Sequence, residues 1–400
     1  MKKALIFCSL LLTTGVATAQ NKAVLDRDNG LNFSFNHGDY LFQMGGFIQP
    51  TYRYQQAAAS DPAHFFSAKR SFFRLAGNAK QEKVSFLIQT NFSDARPLFD
   101  AWVAYHPNEQ LTISFGQKQT FVNNREMLFR EDRLQFTERS LLSETLSRTG
   151  REFGLFVEGR YGNRFGIAPM LAISSGDGRN SFGADSRDTD FGGLKYGGRL
   201  DLYPLGYFTE GNERYSSDLK REKTLKLVLG SAFSVNRGST DAVGEGHGNF
   251  LLYNKNGEIQ LPDYRQLYID MLAKYQGFSL LLEFGNASAS GLSENYTDAA
   301  AVQLIAPQQI SSLLHLGNSI NAQLGYVTQS GYSADLRFSN ASAEFVKYTN
   351  SLMQNTESYS LGLTKYVKEH NLKIQTTFSY LDHAVTGSSQ VIELMFQMAF

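Results

Sequence analysis

Three observations predict an all-β chain folded as a transmembrane antiparallel β-barrel. The first residues have the form of an export leader, about sixteen segments alternate apolar with polar residues, and the last of them ends on Phe400. In that last segment Ile392, Leu394, Phe396, Met398 and Phe400 share one face, while Val391, Glu393, Met395, Gln397 and Ala399 share the other. Successive side chains of a strand point to opposite faces, so only one face of this strand suits an apolar medium.

The leader has three parts. Lys2 and Lys3 give a charged start, residues 4–12 are apolar, and Ala17-Thr18-Ala19 supplies a small-x-small cleavage site. The expected organisation is a signal peptide over 1–19, a periplasmic N-terminal segment over 20–38 and a barrel over 39–400. Cys8, the single cysteine of the sequence, falls inside the leader, so the mature chain carries no thiol, disulfide or Cys-based metal site. Beyond the leader no apolar run reaches the roughly 18 residues of a spanning helix, and a membrane chain without helices must close its sheet to satisfy its backbone. The composition agrees, with 35 Gly, 31 Phe and 20 Tyr but 8 Pro. Formal charge is zero, which gives no reason to expect nucleic acid.

The strands follow in order, with their apolar faces named. Tyr40, Phe42, Met44, Ile48, Tyr52 and Tyr54 mark the first, residues 71–80 the second, and Val84, Phe86, Ile88 and Phe92 the third. Phe99, Ala101, Val103 and Tyr105 form the fourth, Leu111, Ile113 and Phe115 the fifth. Phe153, Leu155 and Val157 come next, then Phe165, Ile167, Leu171 and Ile173. Residues 190–203 make the eighth, and Leu225, Leu227, Leu229, Phe233 and Val235 the ninth. Leu267, Ile269, Met271 and Tyr275 precede Phe278, Leu280, Leu282 and Phe284. Ile320, Leu324 and Tyr326, then Tyr332, Ala334, Leu336 and Phe338, continue the series. Tyr359, Leu361 and Leu363, then Leu372, Ile374, Phe378 and Tyr380, lead to the terminal strand. Leu31, Phe33 and Phe35 could add another, so eighteen strands stay open.

Connection lengths alternate, as in barrels with short turns at one end and long loops at the other. Short turns are expected at 81–83, 107–110, 161–164, 276–277, 328–331 and 367–371. Long links are expected at 55–70, 119–151, 175–189, 237–264, 286–317, 339–356 and 382–388. Two links break the rhythm: 204–223 is long where a short turn belongs, and 93–98 is brief. Tyrosines near strand ends, among them Tyr40, Tyr105, Tyr275, Tyr326 and Tyr359, fit interfacial girdles, although aromatics also favour strands generally.

The opposite faces are polar: Gln43, Gln49, Thr51 and Arg53; Ser85, Gln89 and Asn91; Gln266, Asp270 and Lys274; Asn321 and Gln323; Lys373, Gln375, Thr377 and Ser379. A dry core does not tolerate so many polar groups unpaired, whereas a water-filled lumen does. The competing arrangement is a soluble barrel with its polar face outward.

Several stretches resemble the phosphate-selective porin O/P family of bacterial outer-membrane channels. Tyr40-Leu41-Phe42-Gln43-Met44-Gly45-Gly46-Phe47-Ile48-Gln49 is similar to that family's first barrel strand, Arg70-Ser71-Phe72-Phe73-Arg74-Leu75 to its second and Phe99-Asp100-Ala101-Trp102-Val103 to its fourth. Ser114-Phe115-Gly116-Gln117-Lys118, followed by Phe136-Thr137-Glu138-Arg139-Ser140-Leu141, looks like its fifth strand and the start of its constriction loop. The likeness runs in register over about 40–160 and continues as strand rhythm and the terminal Phe. It implies an exported porin of the bacterial outer membrane, a homotrimer in contact with lipid and lipopolysaccharide. Small hydrophilic solutes, including anions such as phosphate, would diffuse through it passively. An outer-membrane barrel enzyme of lipase type and an adhesin or structural barrel are the alternatives.

In that family the loop corresponding to 119–151 folds inward. Here it carries Arg125, Arg130, Arg133, Arg139, Arg148 and Arg151 beside Glu126, Glu131, Asp132, Glu138 and Glu144. Guanidinium forks match phosphate oxygens, so Arg125, Arg130, Arg133 and Arg139, with Lys118, Arg74 and Arg53 on the strands, are the expected constriction residues. Bracing of the loop by ion pairs is the competing role for each Arg. Lumen-facing cations and acids on the strands nearly balance. No catalytic residue, cofactor or metal site is expected: the seven His are scattered, and Asp177, Asp185, Asp188 and Asp190 lack calcium-loop spacing.

Overall fold

The computed structural model describes residues 22–26, 30–58, 60–80, 82–148, 150–176, 178–179, 192–244 and 249–400. The expected leader with its 1–19 boundary, and Asp177, Asp185, Asp188, Asp190 and His247, lie outside the described residues.

Sixteen antiparallel strands close into a barrel. They are β3 (Tyr40–Ala57), β4 (Ala63–Ala79), β5 (Val84–Asn91), β6 (Leu98–Asn108), β7 (Leu111–Gln119), β8 (Arg151–Gly159), β9 (Gly166–Ser174) and β10 (Lys195–Tyr203). The ring continues with β11 (Lys226–Asn236), β12 (Asp263–Tyr275), β13 (Phe278–Ser290), β14 (Gly317–Val327), β15 (Tyr332–Ala343), β16 (Thr356–Lys368), β17 (Leu372–His383) and β18 (Gly387–Ala399). Closure is made by β18 against β3, with Met398 opposite Ile48 and Ile392 opposite Tyr54. Two further strands stand outside the ring, β1 (Lys22–Asp26) and β2 (Gly30–Phe35).

The reason for the extra pair is an edge. β3 is longer than β18, which stops where Phe400 and Gly46 exchange backbone hydrogen bonds of 2.9 and 3.0 Å. Tyr40–Met44 would then present unpaired backbone, and β2 covers it with Leu31 opposite Met44 and Phe35 opposite Tyr40. At Gly30 the chain has φ +79° and passes so close to the Met44 carbonyl that any side chain would collide with it.

Burial is inverted relative to a soluble protein. On β12, Gln266, Asp270 and Lys274 are buried while Ile269 and Tyr275 are exposed; on β14, Asn321 and Gln323 are buried while Ile320 and Leu324 are exposed. Apolar side chains facing out all round a closed sheet are what lipid selects.

Two expectations change. The long link over 55–70 is mostly strand, because β3 and β4 continue to Ala57 and from Ala63, zipped by Tyr52 against Phe66 with ring centroids 5.0 Å apart. Phe99, placed on the lipid face by alternation, is buried: an irregularity between Gln89 and Thr90 shifts the register and turns it inward onto Phe72.

Candidate functional site: the lumen and its crossing loop

The 119–151 loop leaves β7 at the long-loop end and folds into the barrel. It contains two 3-10 turns, Arg125–Leu128 and Glu131–Arg133, and a short helix α1 (Leu141–Leu146). Ser140 caps α1 by accepting from the Ser143 backbone N–H at 3.3 Å. The Glu126 carboxylate reinforces that end, accepting from Ser140 N, Ser140 Oγ and Ser143 Oγ, each at 2.7 Å. A carboxylate at a helix start faces unpaired N–H groups, so this part of the loop organises itself.

The loop is then sealed to the far wall. Arg125 reaches Asp270 on β12 (Nε, 2.5 Å) and Asp201 on β10 (Nη2, 2.7 Å), and Arg199 completes a buried square with the same two carboxylates at 2.8 and 2.6 Å. Glu283 accepts from Asn124 and from the Glu126 N–H, Asp335 from Gln135, and Glu393 from Thr137. Lys373 donates to Leu134 O, Gln375 to Gln135 O and Gln397 to Asp132 O. Apolar contacts assist: Leu142 and Leu146 pack with Tyr264 and Tyr268, and Phe129 and Leu134 with Val228 and Leu272. Many inward polar groups expected to meet water therefore meet the loop instead.

Open space survives on the near side, between the loop and β4–β8. A cavity of about 610 Å³ opens at the long-loop end, lined by Arg70, Asp94, Arg96, Phe99, Glu131, Arg139, Glu144, Arg148, Arg151, Arg179 and Asp241, among others. A second, of about 510 Å³, faces the short-turn end and includes Arg74, Asp100, Lys118, Arg125, Arg130, Arg151, Glu158, Arg160, Asp201, Glu213 and Arg214. Arg151 lines both. It donates to Glu131 at 2.8 Å and to Asp100 at 3.3 Å and lies 4.5 Å from the Phe99 ring, so it ties the loop to the wall between the chambers. Burial would raise the Glu131 pKa, but Arg151 and Arg139 outweigh it and hold the carboxyl well below its usual range.

The expected constriction residues fall into distinct settings. Arg125 touches the inner chamber but is pinned by its acids; Arg139 lines the outer one while donating to Glu126 O at 2.6 Å and Phe129 O at 2.9 Å. Arg130 faces the inner chamber, forked onto its neighbour Asp132 at 2.9 and 2.7 Å. Lys118 pairs with Glu158 there. Arg74 lines the same chamber, and its buried Nε has no hydrogen-bond partner among the described residues. Arg133 lines neither chamber; its Nε makes no hydrogen bond but lies 3.9 Å from Asp132 Oδ2, and its guanidinium lies 5.9 Å from the Tyr215 ring. Arg53 lines neither chamber and donates to Gln55 at 3.1 Å. The expected set omits Arg70, Arg96, Arg148, Arg151, Arg160, Arg179 and Arg214. Arg199 and Asp201 are a missed anchor, although two charges on the inward face of one strand were a visible sign.

Among the described residues no group of three His, Cys, Asp or Glu could hold a metal, and no helix is long and apolar enough to cross a membrane. Ser85 Oγ and His106 Nε2 are 2.8 Å apart, but the other ring nitrogen meets Thr112 Oγ1 at 3.1 Å, a neutral group where a triad uses a carboxylate.

A closed sixteen-strand ring crossed by an inward loop can be compared with solved barrels. It shares the fold of bacterial outer-membrane channels. The outer-membrane channel DcaP of Acinetobacter baumannii superposes with TM-score 0.56 at 10% identity, over 92% of this chain and 99% of that one. OprB of Pseudomonas putida gives TM-score 0.56 at 11% identity, over 90% and 94% of the two chains. OmpT, an outer-membrane protein of Vibrio cholerae, gives 0.53 at 10% identity, over 92% and 100%. No family model and no curated protein matches the sequence.

Proposed function

We propose that this protein is an outer-membrane porin through which small hydrophilic solutes diffuse passively, anions ahead of cations and phosphate among them. The observation that carries the reading is the charge left facing the open space. The outer chamber has six Arg against four carboxylates, and the inner has seven cations against four. Although the strands' lumen-facing charges nearly balance, Asp270, Glu283, Asp335 and Glu393 are taken up against the loop on the far wall. Most of these cations have an ion-pair partner, but a lining richer in guanidinium than in carboxylate groups, in a narrow, poorly screened lumen, favours anions.

On this reading residues 1–19 are an export leader, 20–38 lie in the periplasm and 39–400 form the barrel, which sits in lipid and lipopolysaccharide as a homotrimer. Cross-linking in detergent tests the subunit state, and a monomer alone counts against it. Conductance in planar bilayers tests the function. Ohmic steps, with a reversal potential in a chloride gradient and then a phosphate gradient that favours the anion, support it. A silent bilayer, or phospholipid hydrolysis abolished by His106→Ala, favours the enzyme alternative.

A further inference from the structure

The link at 204–225 stands where neighbouring turns, such as 276–277 and 328–331, are minimal, and its size is not idle chain. Phe208, Asn212, Tyr215, Ser217, Asp218 and Glu222 are all buried. Lys274 of β12, itself buried, donates to the carbonyls of Asn212, Tyr215 and Ser217. Asp218 accepts from the backbone of Glu222 at 3.1 Å and of Gly277 at 2.7 Å, and Glu222 accepts from Thr209 N at 2.8 Å. A buried ammonium with three acceptors and two carboxylates with backbone donors form a built anchor.

The anchor carries the link across the mouth. Starting between β10 and β11, it reaches Tyr366 of β16 through Ser217 (3.1 Å) and the β16–β17 turn through Tyr215, whose ring centroid lies 4.6 Å from that of His370. That is about six strands away in a ring of sixteen, close to the opposite side. From below it meets the crossing loop, with Tyr215 under Arg133 and Phe208 clustered with Phe129 and Leu134. Its edge supplies Glu213, ion-paired with Arg160 at 3.4 Å, and Arg214 to the inner chamber, whose lining also includes Arg74 and Lys118.

We infer that the 204–225 link is a second filter, which closes most of the short-turn mouth and confines solutes leaving the inner chamber to the gap beside Arg160, Glu213 and Arg214. The inference rests on the diffusion reading and adds to it a second determinant of solute size and charge. Because Cys8 lies in the leader, introduced thiols are unique in the mature chain. Arg214→Cys treated with a negatively charged methanethiosulfonate should lose roughly twofold in single-channel conductance and more in anion preference. Lys223→Cys, on an exposed position outside the chamber, should not change. Replacing 205–224 by a short Gly-Asn turn should raise conductance roughly two- to threefold. If that variant does not show heat-modifiable migration, the thiol experiment decides. If the wild type conducts and the Arg214→Cys current is unmoved by mass-verified modification, this inference alone is overturned. A silent wild-type bilayer overturns the diffusion reading and this inference with it.

Discussion

Arg151 Nη1 lies 2.8 Å from Glu131 Oε1, joining the first residue of β8 to the tip of the crossing loop. Both side chains are nearly inaccessible, and the pair stands where the two lumenal chambers meet. It holds the loop in place and, at the same position, narrows the path past it.

Glu131→Gln removes the negative partner and leaves Arg151 with Asp100. Conductance and anion preference should both rise, by about twofold, because a cation in a low-dielectric passage is unmasked. Reversal potentials in a salt gradient check this. An unchanged ratio would place the solute path elsewhere.

The lumenal arginines should separate into two kinds. Arg74→Ser removes a guanidinium group that lines the inner chamber with an unmatched Nε, and should lower the anion-to-cation permeability ratio, with stability changed by less than about 1 kcal/mol. Arg125→Met strands Asp201 and Asp270 with Arg199 alone, and should cost about 3–5 kcal/mol of loop anchoring. Thermal unfolding and single-channel noise, measured on the same variants, distinguish them.

Acidification should loosen the 204–225 link. His370 is buried in the β16–β17 turn, and its ring nitrogens have no partner among the described residues. Burial, then Lys373, Arg133, Lys274 and Arg130, push its pKa well below the ordinary value; Tyr215 and Tyr366 pack on its faces. A released imidazole titrates near about 6.5, so below that pH the released state binds a proton that the docked state refuses. Docking is therefore strongest above that value and weakens as pH falls. Hydrogen exchange at Gly277 and Glu222, corrected for intrinsic rates, should accelerate from pH 7.5 to 5 in wild type and stay flat in His370→Phe.

Removing residues 20–35 should leave the barrel closed. The β3–β18 seam makes the ring, and β1 and β2 only cover the Tyr40–Met44 edge. Heat-modifiable migration should persist, while the freed edge should raise aggregation in detergent, read by light scattering.

Much of the wall was readable along the chain. Ile269 and Tyr275 out, Gln266 and Asp270 in, follows from alternation, which a strand enforces residue by residue. Alternation failed at Phe99, where a register shift in the neighbouring pair inverted the face, and at 55–70, where aromatic pairing across β3 and β4 extended the strands. Arg53 has the composition of a constriction residue but lines neither chamber, because depth along the barrel is not written in local spacing.

The sequence by itself determined a closed sheet with an apolar outside, the order of its wall strands with the count open between sixteen and eighteen, and a charged loop after Lys118, since each depends on contacts one or two residues apart or on a neighbouring strand. The tertiary structure decided which charges remain free. Asp201, Asp270 and Glu283 meet Arg125 and the Glu126 backbone across the full width of the barrel, and the 204–225 link meets Lys274 and Tyr366 across its mouth. Those partners are far apart in sequence, and only closure of the ring brings them within hydrogen-bond reach; the space that closure leaves open is lined by more cations than acids.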